Sequence, residues 1–269
     1  MKLLITGSTG FIGGNLIKKL QQKKYKILAL SKKKNLPKSY KNVLSIKSDL
    51  KLSKNVLKKI IEFSPDILVH LAWENIPNYS KNTSHINFLK QKYFIDKIIE
   101  IDSIKKIIVT GSCSEHKSKH RLTSRFFVNA KKKLKKLIKK SGKSSVWLKL
   151  FFVFGDGQKK NSLIPYIISS INKRKNVILK KPSIINDFIH VEDVSNIIIS
   201  HLQKKSENLE YDVGSGYGLR VSEIYKFLYN KKLGINCKIK KYYSCFKANT
   251  KNKKIKLKIS LDKRLGSMI

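Results

Sequence analysis

Three glycines, Gly7, Gly10 and Gly13, stand three residues apart in TGSTGFIGGNL, after an apolar run and at the head of an amphipathic one. Glycine at such places permits a tight turn and lets backbone approach a ligand closely, while the following helix offers N–H groups and the positive end of its dipole to an anion. At a first strand–helix junction this spacing suits the pyrophosphate of a dinucleotide, with Gly7, Gly10 and Gly13 as the candidate contacts. The second apolar run ends Ser31-Lys32-Lys33-Lys34, where a site for an unphosphorylated ribose usually carries an acid. A hydroxyl and cations suit a 2′-phosphate, so NADP(H) is expected ahead of NAD(H), with Ser31 and Lys32 as contacts. Further on, GSCSEH (111–116) gathers hydroxyls at a strand end, and FFVNAKKKL (126–134) sets Phe127 one helical turn before Lys131. Hydroxyl and ammonium groups serve acid–base chemistry; a phenylalanine has no proton to give.

These groups need a scaffold, and the hydrophobic pattern describes one. Short apolar runs read as strands over 2–7, 25–31, 42–50, 66–73, 105–114 and 145–155. Amphipathic, lysine-rich segments between them read as helices over 11–23, 56–63, 86–101 and 127–142. That βαβ rhythm predicts an α/β fold, a Rossmann-type doubly wound parallel sheet. Beyond residue 155 the rhythm loosens into helices at 162–175 and 221–233, a strand and helix within 186–202, and a strand end at 211–216. The expected organisation is a nucleotide-binding core over 1–155 and a small C-terminal substrate-binding lobe over 156–269, with 186–202 and 211–216 returning to the core.

With 269 residues and 41% apolar content, the chain is long enough to bury a large core. No apolar run approaches the roughly 20 residues of a membrane span, so membrane insertion is not expected. The apolar start breaks at the glycines, which reads as a mature cytoplasmic N-terminus rather than a signal peptide. Cys113, Cys237 and Cys245 have neither metal-ligand nor disulfide spacing, so no metal is expected. The formal net charge is +42, nearly all of it lysine spread along the whole chain. Without an accompanying nucleic-acid-binding motif it reads as solvated lysine faces that favour an anionic small substrate, with no specific nucleic acid as partner.

TGSTGFIGGNL, Asp49-Leu50, HLAW (70–73), DFIHVEDV (187–194) and DVGSG (212–216) together resemble the extended short-chain dehydrogenase/reductase family, the NAD-dependent epimerase/dehydratase group acting on nucleotide sugars. LAWENIPNY, GSCSEH and the stretch after Trp147 are similar to its 4-keto-sugar reductase branch near CDP-abequose synthase. The resemblance implies that Phe11 and Ile12 join Gly7, Gly10 and Gly13 in holding the pyrophosphate, that Asp49 and Leu50 meet the adenine, and that Leu71 and Ala72 line the path to the nicotinamide ribose. It places Ser112 at the catalytic serine position and Lys131 at the lysine that holds the nicotinamide ribose, with Thr110 and Ser114 as neighbouring hydroxyls. It also implies a nucleotide-sugar substrate, a role in surface polysaccharide synthesis, and a homodimer through two helices, one of them near 86–101.

The family's catalytic signature is Tyr-x-x-x-Lys, and here the tyrosine position holds Phe127. No tyrosine lies between Tyr93 and Tyr166, so sliding the register recovers none. Three readings stand: a 4-keto reductase with a substitute donor among His116, His120 and Ser114; an epimerase or dehydratase on the same scaffold; and a catalytically impaired cofactor-binding protein. An arginine that often contacts the nucleotide phosphate in the family is Asn186 here, with Lys180 or Lys181 as replacement cations. Structural roles are expected for His190 and Asp193, with Glu192 or Asp193 capping a helix. Asn87 is a candidate support for the site, Trp73 and Trp147 read as core or pocket wall, and Tyr242 and Tyr243 could reach a substrate.

Overall fold

The computed structural model describes residues 1–32, 36–37, 39–116, 125–204, 208–242 and 259–269. In chain order the elements are β1 (Lys2–Thr6), α1 (Phe11–Leu20), β2 (Lys26–Ser31), β3 (Val43–Lys47), α2 (Lys54–Phe63), β4 (Ile67–His70), α3 (Lys81–Ile99) and β5 (Lys106–Ser112). A short 3₁₀ turn, Cys113–Glu115, leads toward α4 (Arg125–Lys140), β6 (Ser144–Leu150), β7 (Phe152–Phe154) and α5 (Leu163–Asn172). Then come β8 (Ile185–His190), α6 (Val191–Leu202), β9 (Leu209–Val213), β10 (Gly218–Arg220), α7 (Val221–Lys232) and α8 (Leu261–Gly266).

The chain divides into two units, Met1–Lys149 with Ile198–Tyr211, and Leu150–Ile197 with Asp212–Ile269. The first is built on a seven-stranded sheet of order β3-β2-β1-β4-β5-β6-β9, with parallel pairing from β3 across to β5. The order reverses direction at β1, whose neighbours are β2 and β4, so the crevice beyond the strand C-termini opens there. The central strands are buried on both faces, which is why they read as continuous apolar runs. Leu4, Leu28, Leu68, Ile107 and Trp147 join Phe94, Ile95 and Leu134 of the covering helices in one core.

The second unit has its own core around Phe154, Ile164, Phe188, Leu219, Phe227 and Leu265, under a three-stranded sheet of order β10-β8-β7. The expected single strand over 145–155 is therefore two, interrupted at Phe151, whose N–H bonds the Val213 carbonyl. Arg264 of α8 pairs with Glu192 at 2.8 Å and Asp193 at 3.1 Å. Neither acid is a cap: α6 begins at Val191, both lie within its first turn, and their carboxylates are held by the guanidinium. His190 is buried, accepts from the Glu192 N–H at Nδ1 and stands edge-on to Phe154, a structural corner as expected. Lys180 and Lys181 are exposed, and Asn186 is buried in β8.

Several boundaries moved for local reasons. α3 begins at Lys81, because Ser80 accepts from the Thr83 N–H and starts a polar first turn with no apolar period to announce it. β3 stops at Lys47, since Asp49 turns the chain by accepting from the Lys51 N–H. β4 leaves the sheet after His70, where a buried polar network takes over. Phe94, wholly buried on α3, stacks on the His70 ring at 5.1 Å and ties that network to the core. Phe94→Ala should lower the unfolding free energy by about 3–5 kcal/mol, read by urea denaturation; a loss under about 1 kcal/mol would show that α3 is not anchored through this ring.

Candidate active site in the first unit

The glycine loop runs from β1 into α1, and its closeness to β4 explains its composition. Gly7 has φ +68°, and a Cβ there would lie 2.9 Å from the Ala72 N. A Cβ on Gly13 would sit 2.2 Å from the Gly7 carbonyl oxygen, so both positions exclude any side chain. α2 and α3 are closed by serine caps, whereas Gly10 at the head of α1 supplies no side-chain cap. No N-cap side chain bonds the first-turn N–H groups of Phe11, Ile12 and Gly13, which suits a phosphate there. Residues and geometry fit a dinucleotide pyrophosphate.

The tip of β2 reaches the same loop. Ser31 is buried, and its Oγ lies 2.5 Å from Thr9 Oγ1, shaping the glycine turn from within. Lys32 points to Glu74, its Nζ 3.2 Å from both carboxylate oxygens. Burial would raise the Glu74 carboxyl, but Lys90 at 2.8 Å and Lys32 together hold it below the ordinary range. Lys33 and Lys34 lie outside the described residues. Asp49 is half-buried at the end of β3, and the Leu50 side chain is in the core.

The exit of β4 is fixed by a directional chain of hydrogen bonds. Burial pushes His70 down to about 4, so its ring is neutral. Its Nδ1 meets Thr6 Oγ1 at 2.8 Å, its Nε2 meets Gln91 Oε1, and Thr6 Oγ1 also accepts from the Ala72 N–H. Gln91 donates to the Ala72 carbonyl, so the backbone of Leu71 and Ala72 is held against Gly7. Asn87 clamps Glu74, two residues after Ala72, accepting from its N–H and donating to its carbonyl. The Asn87 reading thus becomes specific: it holds the loop that leaves β4. Gln91 was missed, because a glutamine in a lysine-rich helix carries no signal of its own.

Around the end of β5 the remaining candidates converge. Lys131 is buried on α4, and its Nζ donates to the Thr110 carbonyl at 2.8 Å and stands 4.0 Å from the centre of the Trp73 ring. Burial lowers its pKa to about 8, with the Glu115 carboxylate pulling the other way. Ser112 ends β5; its Oγ accepts from the Ser114 N–H, which leaves the hydroxyl hydrogen available to a ligand oxygen. The Ser112 N–H donates to Glu115 at 2.8 Å, and the same carboxylate takes the Trp147 indole N–H at 3.1 Å and lies 3.3 Å from Lys135. Glu115 is a second omission of the sequence reading, although Ser112-Cys113-Ser114-Glu115 is a capping-box pattern that could have revealed it. Trp147 is core, and Trp73 is half-buried against the same core.

Phe127 is buried one turn before Lys131 and meets Trp73 edge-on at 5.4 Å and Tyr79 at 4.8 Å between ring centres. His116 follows the 3₁₀ turn, its N–H on the Cys113 carbonyl. His120, Tyr243 and Cys245 lie outside the described residues. In the second unit, Tyr242 pairs with Gly218 across a β-bridge, and the Arg220 guanidinium lies over its ring. Among the described residues no group of His, Cys, Asp and Glu is placed to hold a metal ion, and no helix is long and apolar enough to cross a membrane.

Comparison with known proteins agrees with this geometry. The profile of the NAD dependent epimerase/dehydratase family matches residues 3–214. Among curated proteins, the chain is 27% identical to GDP-6-deoxy-D-talose 4-dehydrogenase of Aggregatibacter actinomycetemcomitans, over 85% of this chain and 79% of that one. It is also 27% identical to CDP-abequose synthase of Salmonella typhimurium, over 85% and 80%. Among solved structures, UDP-glucose 4-epimerase of Thermotoga maritima, determined with UDP-glucose, superposes with a TM-score of 0.81 at 17% identity, covering 99% of this chain and 96% of that one. That last likeness is one of fold.

The buried ammonium has a measurable signature. Lys131 drops from 10.5 to about 8 on folding, so between those values the unfolded chain keeps a proton that the folded chain has released. Wild-type stability therefore rises with pH across that window and is lost as pH falls through about 8. Lys131→Met has no such proton. As pH falls across the window, the stability difference should move toward the methionine variant by on the order of 3 kcal/mol, read from urea unfolding of both proteins. A difference independent of pH would contradict the burial of a charged lysine.

Proposed function

Because the chain belongs to the NAD dependent epimerase/dehydratase family, we propose that it reduces the 4-keto group of a nucleotide-activated sugar, with NADP(H) preferred over NAD(H). The reaction serves surface polysaccharide synthesis in the cytoplasm. The observation that carries the reading is Lys131 buried between the Thr110 carbonyl and the Trp73 ring, on the strand end that also presents Ser112. Two relatives with nucleotide-sugar names, one of them a 4-dehydrogenase, support the substrate class.

When bound, the reduced nicotinamide supplies the hydride. The chain's own residues bind and orient. The loop of Gly7, Gly10 and Gly13 and the open head of α1 hold the pyrophosphate. Asp49 and Leu50 meet the adenine, and Leu71 and Ala72 line the way to the nicotinamide ribose. Lys131 holds that ribose, and Ser112 donates to the sugar carbonyl oxygen. Lys32 offers the cation for a 2′-phosphate, and Glu74 shares it until the phosphate arrives. The second unit serves as the substrate-binding lobe.

A second reading, a protein that binds cofactor without turnover, is favoured by Phe127 alone. Purified protein with a panel of nucleotide-4-keto-6-deoxysugars decides between them: the reductase consumes NADPH, and binding without consumption favours the second. NADPH should bind more tightly than NADH, and Glu74→Gln should widen that gap several-fold, since an ion pair that competes for Lys32 is removed. Equal affinities for the two cofactors would count against the 2′-phosphate assignment.

The expected homodimer uses α3, whose Ile86, Leu89 and Tyr93 form an exposed apolar stripe at helical spacing. Its lysines do not forbid this, since Lys90 pairs with Glu74 and Lys92 with Asp96. Light scattering at physiological salt should give twice the 31.0 kDa chain mass, and Leu89→Glu should halve it. A monomeric wild type would remove the dimer.

A further inference from the structure

The phenol that α4 lacks is present in the site on another element. We propose that Tyr79, from the loop between β4 and α3, is the proton donor to the sugar carbonyl oxygen, in place of the hydroxyl missing at Phe127. This rests on the reductase reading. Tyr79 is half-buried, and its ring lies against Phe127 with 4.8 Å between centres. The Phe127 ring in turn meets Trp73, whose face carries the Lys131 ammonium. Tyr79 and Cys113, the neighbour of Ser112, are close enough to interact electrostatically. One phenol therefore stands beside the aromatic position from which a hydroxyl is absent, in the loop that also carries Trp73.

The loop is also built to hold it there. Asn87 fixes Glu74 at the loop's start, and Ser80 caps α3 at its end, its N–H bonded to Asn78 Oδ1. Burial first, and then Cys113, raise the phenol above its ordinary value, so it carries its proton at neutral pH. It remains a stronger acid than the alcohol being formed, because an aliphatic hydroxyl resembles water in holding its proton. Proton transfer from Tyr79 to the nascent alkoxide runs downhill.

The step balances. The dihydronicotinamide is oxidised and gives a hydride to the carbonyl carbon. The C=O π pair moves onto oxygen, and that oxygen takes the phenol proton. The resulting Tyr79 phenolate recovers its proton from water, and the sugar ketone has become an alcohol.

The test compares wild type, Tyr79→Phe, Phe127→Tyr and the double variant, by NADPH turnover on the same 4-keto sugars and by fluorescence titration of NADPH and nucleotide-sugar binding. Tyr79→Phe should lower kcat about 10²–10⁴-fold while both affinities hold, and adding Phe127→Tyr should restore turnover. Undiminished kcat in Tyr79→Phe overturns the proposal and leaves the reductase reading standing. So does turnover by Phe127→Tyr with an inert wild type. Loss of both affinities together with kcat would make Tyr79 a wall of the pocket and not the donor. If wild type and Phe127→Tyr both bind NADPH and neither reacts, the reductase reading fails and the acid role of Tyr79 falls with it.

Discussion

A full positive charge in a nearly water-free place is the constraint around which the first unit is arranged. Lys131 has one carbonyl, that of Thr110, and one indole face, that of Trp73, to replace its hydration. Such a group costs stability when uncompensated, and its neighbours answer that cost. Glu115, itself buried, favours the charged form and at the same time fixes the N–H of Ser112. Burial keeps His70 neutral, Lys131 reinforces this, and a neutral ring can bond Thr6 and Gln91 at once. Gly111 carries no side chain because a Cβ would sit 2.2 Å from Trp147 Nε1, the indole that Glu115 holds.

α3 links this charged centre to the glycine loop. Its buried polar residues, Asn87 and Gln91, hold the chain leaving β4 against Gly7, and one turn further along Phe94 enters the core. The same short loop carries Trp73, Glu74 and Tyr79, so cofactor end, lysine and phenol are set by one pinned segment. Pinning matters because loops carry reactive groups well only when a rigid scaffold fixes them.

Much of this was legible in the sequence. The glycine spacing after an apolar run placed the tight turn between β1 and α1, and the alternation of apolar and amphipathic runs announced the parallel sheet. Ser112 and Lys131 lie on β5 and α4, within the strand and helix expected there. What was not legible is what depends on contacts distant in sequence. Tyr79 is separated from Phe127 by a helix and a strand, and a search for tyrosines along α4 could not find it. The split at Phe151 was hidden because both halves are equally apolar. Glu192 and Asp193 looked like caps because their partner, Arg264, is far along the chain.

The proposed reaction is net hydride transfer to a nucleotide-4-ketosugar. NADPH carrying deuterium at both nicotinamide C4 positions should be consumed and leave one deuterium on C4 of the sugar product, detected by mass spectrometry and NMR. Conversion of a nucleotide sugar with no NADPH consumed and no deuterium in the product would contradict reduction and make the chain an epimerase or dehydratase of its family.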